Sequence, residues 1–191
     1  MMRASGNGVR AAAVLVVGAF ALSGCASGAE DENTGTGAGW EPVTIEHALG
    51  EAVISEEPER IVTLGQGSAE TAIALGTVPV GVEEYAWGAD DTGYLPWVHE
   101  AVEEAGEPLP EQFAGDAELD VEAIVELEPD LILAPWSGVT QEQYDVLTDI
   151  APTVAYAEEP WVITWQEQIE VIGEAMGKSD GAEQLIDDID E

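Results

Sequence analysis

Positive charge is nearly missing from this chain. Its 191 residues hold four Lys and Arg against 40 Asp and Glu, a formal net charge of −36 at pH 7. Nucleic acid is excluded as a partner, because phosphate binding needs a cationic footprint. Electrostatic docking to anionic lipid is excluded for the same reason. Cysteine occurs once, as Cys25, so no internal disulfide can form. Histidine occurs twice, as His47 and His99, and no His or Cys group has metal-ligand spacing. Long apolar runs are also lacking. Ala11–Leu22 would reach about 18 Å as a helix, against about 30 Å of bilayer hydrocarbon. Gly65-Gln66-Gly67 lacks the third glycine of a dinucleotide loop, since position 70 is Glu70. The run Asp187-Asp188-Ile189-Asp190-Glu191 lacks the calcium-loop pattern and reads as a solvated helix face.

What is present begins with enough apolar material for a core, 46% of the chain. The acidic surface reads as solvated and suited to salty surroundings, where screening weakens self-repulsion. Attraction of a cationic partner is the alternative. The amino terminus has a short basic region, Met1–Arg10, then the uncharged run AAAVLVVGAFAL, then small residues: a secretory signal. Its end, Leu22-Ser23-Gly24-Cys25, resembles the bacterial lipobox. That resemblance implies a signal peptide at 1–24, removed on export, and Cys25 as the lipid-bearing first residue of the mature chain. Two or more fatty chains anchor stably, at about 0.8 kcal/mol per buried methylene. The expected location is extracytoplasmic, on the outer face of the cell membrane. After removal of Arg3 and Arg10 only Arg60 and Lys178 remain as cations. Residues 25–39 are small, polar and acidic and read as a flexible tether.

Folding signals start at Trp40. Val43–His47 and Ala52–Ile54, around Leu49-Gly50, predict a small hairpin. From Arg60 a unit of strand, loop and amphipathic helix repeats. Strands are expected over 60–64, 78–82, 130–134 and 152–156. Helices are expected over 69–75, 95–105, 121–127 (capped by Asp120), 140–150, from 164 to 176, and from Ser179 onward. Thr140 with Gln143, and Thr164 with Glu167, read as capping boxes. Trp165, Ile169, Ile172, Gly173 and Met176 read as one apolar stripe, and so do Ala182, Leu185, Ile186 and Ile189. Residues 107–119 read as irregular.

This alternation predicts an α/β fold with a parallel sheet flanked by helices, a Rossmann-like lobe. Ligands in such sheets meet the loops at the carboxyl ends of the strands, here 65–68, 83–94, 135–138 and 157–163. These loops carry Trp87, Trp136 and Trp161, plus Tyr85 and Tyr94. So many aromatics on one edge suggest a binding rim, with packing back onto the lobe as the bland alternative for each.

Val43–Gly177 resembles the amino-terminal lobe of ferric-siderophore solute-binding proteins of ABC importers. The segments carrying the resemblance are VTIEHALG (43–50), PERIVTL (58–64), LGTVPVGV (75–82), EPDLILA (128–134) and IAPTV (150–154). It implies a periplasmic-binding-protein-like fold whose ligand-binding lobe spans 40–178, with residues 179–191 starting an interlobe helix to a second lobe. It implies a monomer that delivers cargo to a membrane permease, without catalysis, cofactor or resident metal, ferric iron arriving only inside the siderophore. By loop correspondence it implies ligand contact at Gln66, Tyr85, Trp87, Trp136, Ser137 and Trp161. One departure bears on the ligand. Members of this type often present an arginine in this lobe, whereas Arg60 stands at the start of a strand, the wrong end. That favours neutral or cationic ferric hydroxamates over a triply anionic ferric catecholate. A half-cleft also predicts weak binding by residues 40–191 alone.

Haem and cobalamin are alternative ligands within the superfamily, with Tyr85 or Tyr94 as possible axial haem ligands. Two other classes of function stay open. One is a sensor or interaction module. The other is an acid-pair hydrolase drawing on Glu83, Glu84, Asp90 and Asp91.

Overall fold

The computed structural model describes residues 39–115 and 119–191. The expected signal segment 1–24, Cys25 and the expected tether up to residue 38 lie outside the described residues.

The hairpin forms as expected, β1 (Val43–His47) and β2 (Gly50–Ile54) pairing antiparallel from Val43↔Ile54 to His47↔Gly50. The sheet follows as β3 (Ile61–Thr63), β4 (Gly81–Glu83), β5 (Glu111–Phe113), β6 (Leu131–Leu133) and β7 (Thr153–Val154). Its spatial order is β5-β4-β3-β6-β7, and each neighbouring pair is parallel. Six helices connect or follow these strands: α1 (Ser68–Ala74), α2 (Pro96–Ala105), α3 (Val121–Glu126), α4 (Gln141–Thr148), α5 (Trp165–Ala175) and α6 (Ser179–Asp190).

Both faces of the sheet are buried, as a parallel sheet requires. Alternate residues of β3 and β6 point opposite ways. Ile61, Leu131 and Leu133 join Ile54, Ala72, Val154, Ile172 and Met176 on one face. Val62, Leu64, Ile132 and Ala134 join Phe113, Ile124, Tyr144 and Leu147 on the other. Each large aliphatic side chain buried this way contributes roughly 1.5–3 kcal/mol.

Four expectations need correction. Residues 107–119 are not wholly irregular, because Glu111–Phe113 forms the edge strand β5 against β4. Its only apolar member, Phe113, is buried, while the flanking prolines and the polar pair before it masked the strand. The strand expected over 78–82 runs instead from Gly81 to Glu83. Pro79 has no N–H to give, and pairing starts from the Val80 N–H, which donates to the Ile61 carbonyl at 2.8 Å. Trp165 stands outside the buried stripe of α5, 39% exposed at the first helical position. On α6 only Ala182 is buried, and Ile189 is 55% exposed.

The local signals hold. Both capping boxes form, Thr140 with Gln143 and Thr164 with Glu167, and the Asp120 carboxylate accepts from the Ala123 N–H at 3.0 Å. The Glu167 carboxyl is held below its ordinary range by the Thr164 hydroxyl and N–H. The hairpin is tied to β7 by His47. Its Nε2–H donates to the Thr153 carbonyl at 3.0 Å, and its Nδ1 accepts from the Leu49 N–H at 3.3 Å. The ring stacks edge-on against Tyr144 and is neutral in this role. Burial lowers its pKa, partly offset by the bond to Thr153.

The two cations of the described residues both serve the ends of helices. Arg60 Nη2 donates to the Leu127 carbonyl at 2.6 Å, and Nε reaches the Leu127 and Glu128 carbonyls at 3.1 Å. Lys178 Nζ donates to the Leu75 carbonyl at 2.8 Å and to Thr77 Oγ1 at 2.7 Å. Each satisfies carbonyls that the end of a helix leaves unpaired.

Candidate functional site

The strand order decides where a ligand can sit. β3 lies in the middle; the chain builds β4 and β5 to one side of it, then crosses to build β6 and β7 on the other. The loops leaving β3 and β6 lead to helices α1 and α4 on opposite faces of the sheet, and a crevice opens beside them at the carboxyl edge. Gly65 sits at its base with φ 74°, and a Cβ there would come within 1.8 Å of the Trp136 carbonyl oxygen. Only glycine lets these two loops approach so closely.

An open cleft of about 860 Å³ occupies this position. That is within the range of roughly 300–1,000 Å³ usual for small-ligand sites. Segments following all five strands line it: Gly65 and Gln66 after β3, Glu84 to Trp87 after β4, Ala114 and Gly115 after β5, Trp136 after β6 and Trp161 after β7. Five of the six residues expected from the sequence, Gln66, Tyr85, Trp87, Trp136 and Trp161, thus share one concave surface. Trp87 stands 83% exposed at the rim. Trp136 and Trp161 meet edge to face, with ring centroids 4.7 Å apart at 69°. Trp161 holds the left-handed φ of 64°, which a bulky residue adopts only when its surroundings impose it. Its N–H donates to the Ser137 carbonyl at 3.2 Å, and its indole lies over Gly138, whose missing Cβ leaves the space.

Ser137, the sixth, is placed differently. Its side chain is 2% exposed, and its hydroxyl donates to the Ala134 carbonyl at 2.7 Å. It shapes the loop and borders a side recess of about 250 Å³ with Gly138, Thr140 and Gln143, outside the main cleft. The acids expected from the 83–94 loop also divide. Glu83 and Glu84 line the cleft, joined by Asp120 and Glu122 of the α3 start, which the sequence reading did not place at the site. Asp90 is bound instead by the Thr92 hydroxyl and N–H, which lower its pKa. Tyr94 donates to the Pro110 carbonyl, with its pKa raised by burial and by Glu111.

Two supports of the site have no local sequence signature. Glu83, at the end of β4, accepts from the Gly65 N–H at 2.7 Å. Gln168, buried on α5, donates from Nε2 to the Gln66 carbonyl at 2.7 Å. The β3–α1 loop is thus held from both sides. Neither Arg60 nor Lys178 lines the cleft, so among the described residues the site has aromatic and acidic side chains and no Lys or Arg.

Residues 61–191 match the family model described as periplasmic binding protein. The "Probable siderophore-binding lipoprotein YfiY" of Bacillus subtilis is 33% identical over 180 residues, covering 93% of this chain and 51% of that protein. The crystal structure of Streptococcus pneumoniae PiaA in complex with ferrichrome superposes with a TM-score of 0.72 at 37% identity, over 76% of this chain and 48% of that one. Staphylococcus aureus SirA complexed with staphyloferrin B gives 0.62 at 31% identity, over 76% and 46%. The chain spans about half the length of these relatives. It shares their sheet, their flanking helices and the profile of their sequences, and it belongs to the periplasmic binding protein family.

Proposed function

We propose that this chain is the ligand-capturing lobe of an extracytoplasmic solute-binding lipoprotein of an ABC importer, held to the membrane through Cys25. Its cargo in this reading is a neutral or cationic ferric siderophore of hydroxamate type, handed to a permease. Binding rather than catalysis is the role in this reading, in keeping with the periplasmic binding protein family to which the chain belongs.

One observation carries the reading: a cleft at the strand switch, walled by three indoles from three separate loops and bordered by Glu83, Glu84, Asp120 and Glu122, with no Lys or Arg. Indole faces attract cations and apolar ligand surface. Two unit charges 4 Å apart interact by about 4 kcal/mol at the effective dielectric of a protein surface. A complex with three negative charges is repelled by such a border, whereas a positive one is attracted, both damped by solvent screening. Similarity to siderophore binders supports the iron cargo.

The test is quenching of tryptophan fluorescence in the full chain carrying Cys25→Ser, which blocks acylation. Ferrioxamine B, a cationic ferric hydroxamate, is titrated against ferric enterobactin, a triply anionic catecholate. The expected result is at least about tenfold tighter binding of ferrioxamine B, a difference of about 1.4 kcal/mol. The reverse order overturns the ligand class; because a single lobe is expected to bind weakly, the titration runs to about 1 mM ligand, and no quenching by either over that range overturns the capture role.

A further inference from the structure

The β3–α1 loop presents Gln66 to the cleft, and its main chain is fixed by a side chain that lines none of the cleft itself. Gln168 lies on the second turn of α5, 9% exposed. Its amide donates to the Gln66 carbonyl at 2.7 Å and packs where a Cβ on Gly67 would stand, within 2.8 Å of Oε1. Gly67 has φ 82°, so the loop turns sharply at this contact. On the opposite side Glu83 takes the Gly65 N–H. α5 is itself started by the Thr164–Glu167 capping box, three residues after Trp161. One rigid helix therefore sets the β3–α1 loop and begins where the Trp161 loop ends.

We infer that Gln168 is a positioning residue for ligand capture: it holds the Gln66 main chain so that this loop and the indole pair are presented together. The inference rests on the capture reading above and deepens it. Gln168 touches no ligand in this role and acts through the Gln66 carbonyl alone.

The conservative change Gln168→Glu makes that bond depend on protonation. A protonated carboxyl can donate to the Gln66 carbonyl, whereas a carboxylate there meets an oxygen and repels it. Burial against a carbonyl raises the pKa of the introduced acid. Nearby carboxylates are Glu167 in its cap, Glu170 on the same helix, Glu70 on α1 and Glu83 at Gly65. All are common to both proteins, so comparison with the parent subtracts what they contribute independently of residue 168.

Two measurements on the full Cys25→Ser chain test the inference. The first needs no ligand. The amide ¹⁵N shift of Gly67, whose nitrogen adjoins the Gln66 carbonyl, is followed between pH 5 and pH 8 in Gln168→Glu and its parent. A titration of that shift confined to the variant is expected; an unmoved Gly67 overturns the inference. The second is ferrioxamine B affinity. Relative to its parent, Gln168→Glu is expected to lose about five- to tenfold between pH 5 and pH 8, the factor a typical hydrogen bond supplies. Gln168→Leu is expected to be weakened equally at both. A variant-to-parent ratio that does not change with pH reduces Gln168 to packing and refutes the positioning role. Failure of the parent itself to bind counts against the capture reading, while the Gly67 shift still decides the role of Gln168.

Discussion

Replacing Gly65 by alanine tests whether the crevice depends on contact between the β3 and β6 loops. Two costs arise, and a second glycine separates them. Gly65 has φ +74°, and a side chain in the left-handed region costs about 1–2 kcal/mol. Gly76, after α1, has φ +83° with nothing within 4 Å of its would-be Cβ, so Gly76→Ala bears the backbone cost alone. At Gly65 the new methyl would stand 1.8 Å from the Trp136 carbonyl oxygen, where real contacts stay beyond 3.0 Å. The obstacle is backbone, which cannot swing aside as a long side chain can. The loops must part, and the bonds beside the clash are the Leu64 N–H to the Leu133 carbonyl at 2.8 Å and the Gly65 N–H to Glu83 at 2.7 Å. Losing one or both costs about 1–3 kcal/mol. Gly65→Ala is therefore expected to lose about 2–5 kcal/mol of unfolding free energy, and Gly76→Ala about 1–2. Urea unfolding followed by circular dichroism and tryptophan fluorescence reads both, with unchanged slope confirming that stability alone has moved. If the two variants fall within about 0.5 kcal/mol of each other, the loops are not in forced contact and the account of the crevice is wrong.

Two further perturbations address the frame around the site. His47 is neutral in the fold with its pKa lowered by burial, so the unfolded chain takes up a proton first as pH falls through the ordinary value of 6.5. Stability from His47 is thus full above that value and lost as pH falls toward the folded pKa. His47→Gln should remove this component, so that wild type loses its stability margin over the variant between pH 7.5 and pH 5.5; a constant margin in parallel urea titrations would refute the assignment. Lys178→Met should destabilise by about 1–3 kcal/mol, because it strips the donor from the Leu75 carbonyl and Thr77 hydroxyl while keeping the stem's packing. A thermal midpoint equal to wild type would show that solvent replaces the ammonium there.

Features that depend on three or four neighbouring residues were legible in the sequence. Thr140 and Gln143, or Thr164 and Glu167, meet only because a helix starts between them, and the same geometry makes the pattern readable. The run Leu131–Leu133 announced a strand buried on both faces. Glu111–Phe113 did not, since an edge strand needs only one buried face and shows one apolar residue. The aromatic loops were legible as a group, because the alternation of strand and helix puts them on one edge. Which polar loop side chain would fold back instead was not. A loop serine can face solvent or fold back, and Ser137 folds back because the Ala134 carbonyl needs a donor. Gln168 meets Gln66 across 102 positions of sequence, and nothing local to either residue marks that bond.

The engagement of Arg60 and Lys178 at helix ends reaches beyond those helices. With Arg60 and Lys178 both donating to main-chain oxygens, the lobe's many carboxylates far outnumber its fixed cations, and small ions from solution balance most of that charge. The indole-walled cleft lies within that acidic surface. On the proposed reading, a positively charged complex entering that cleft would take the place of mobile counterions rather than of a protein side chain, so its capture would be firmest at low ionic strength and looser in brine.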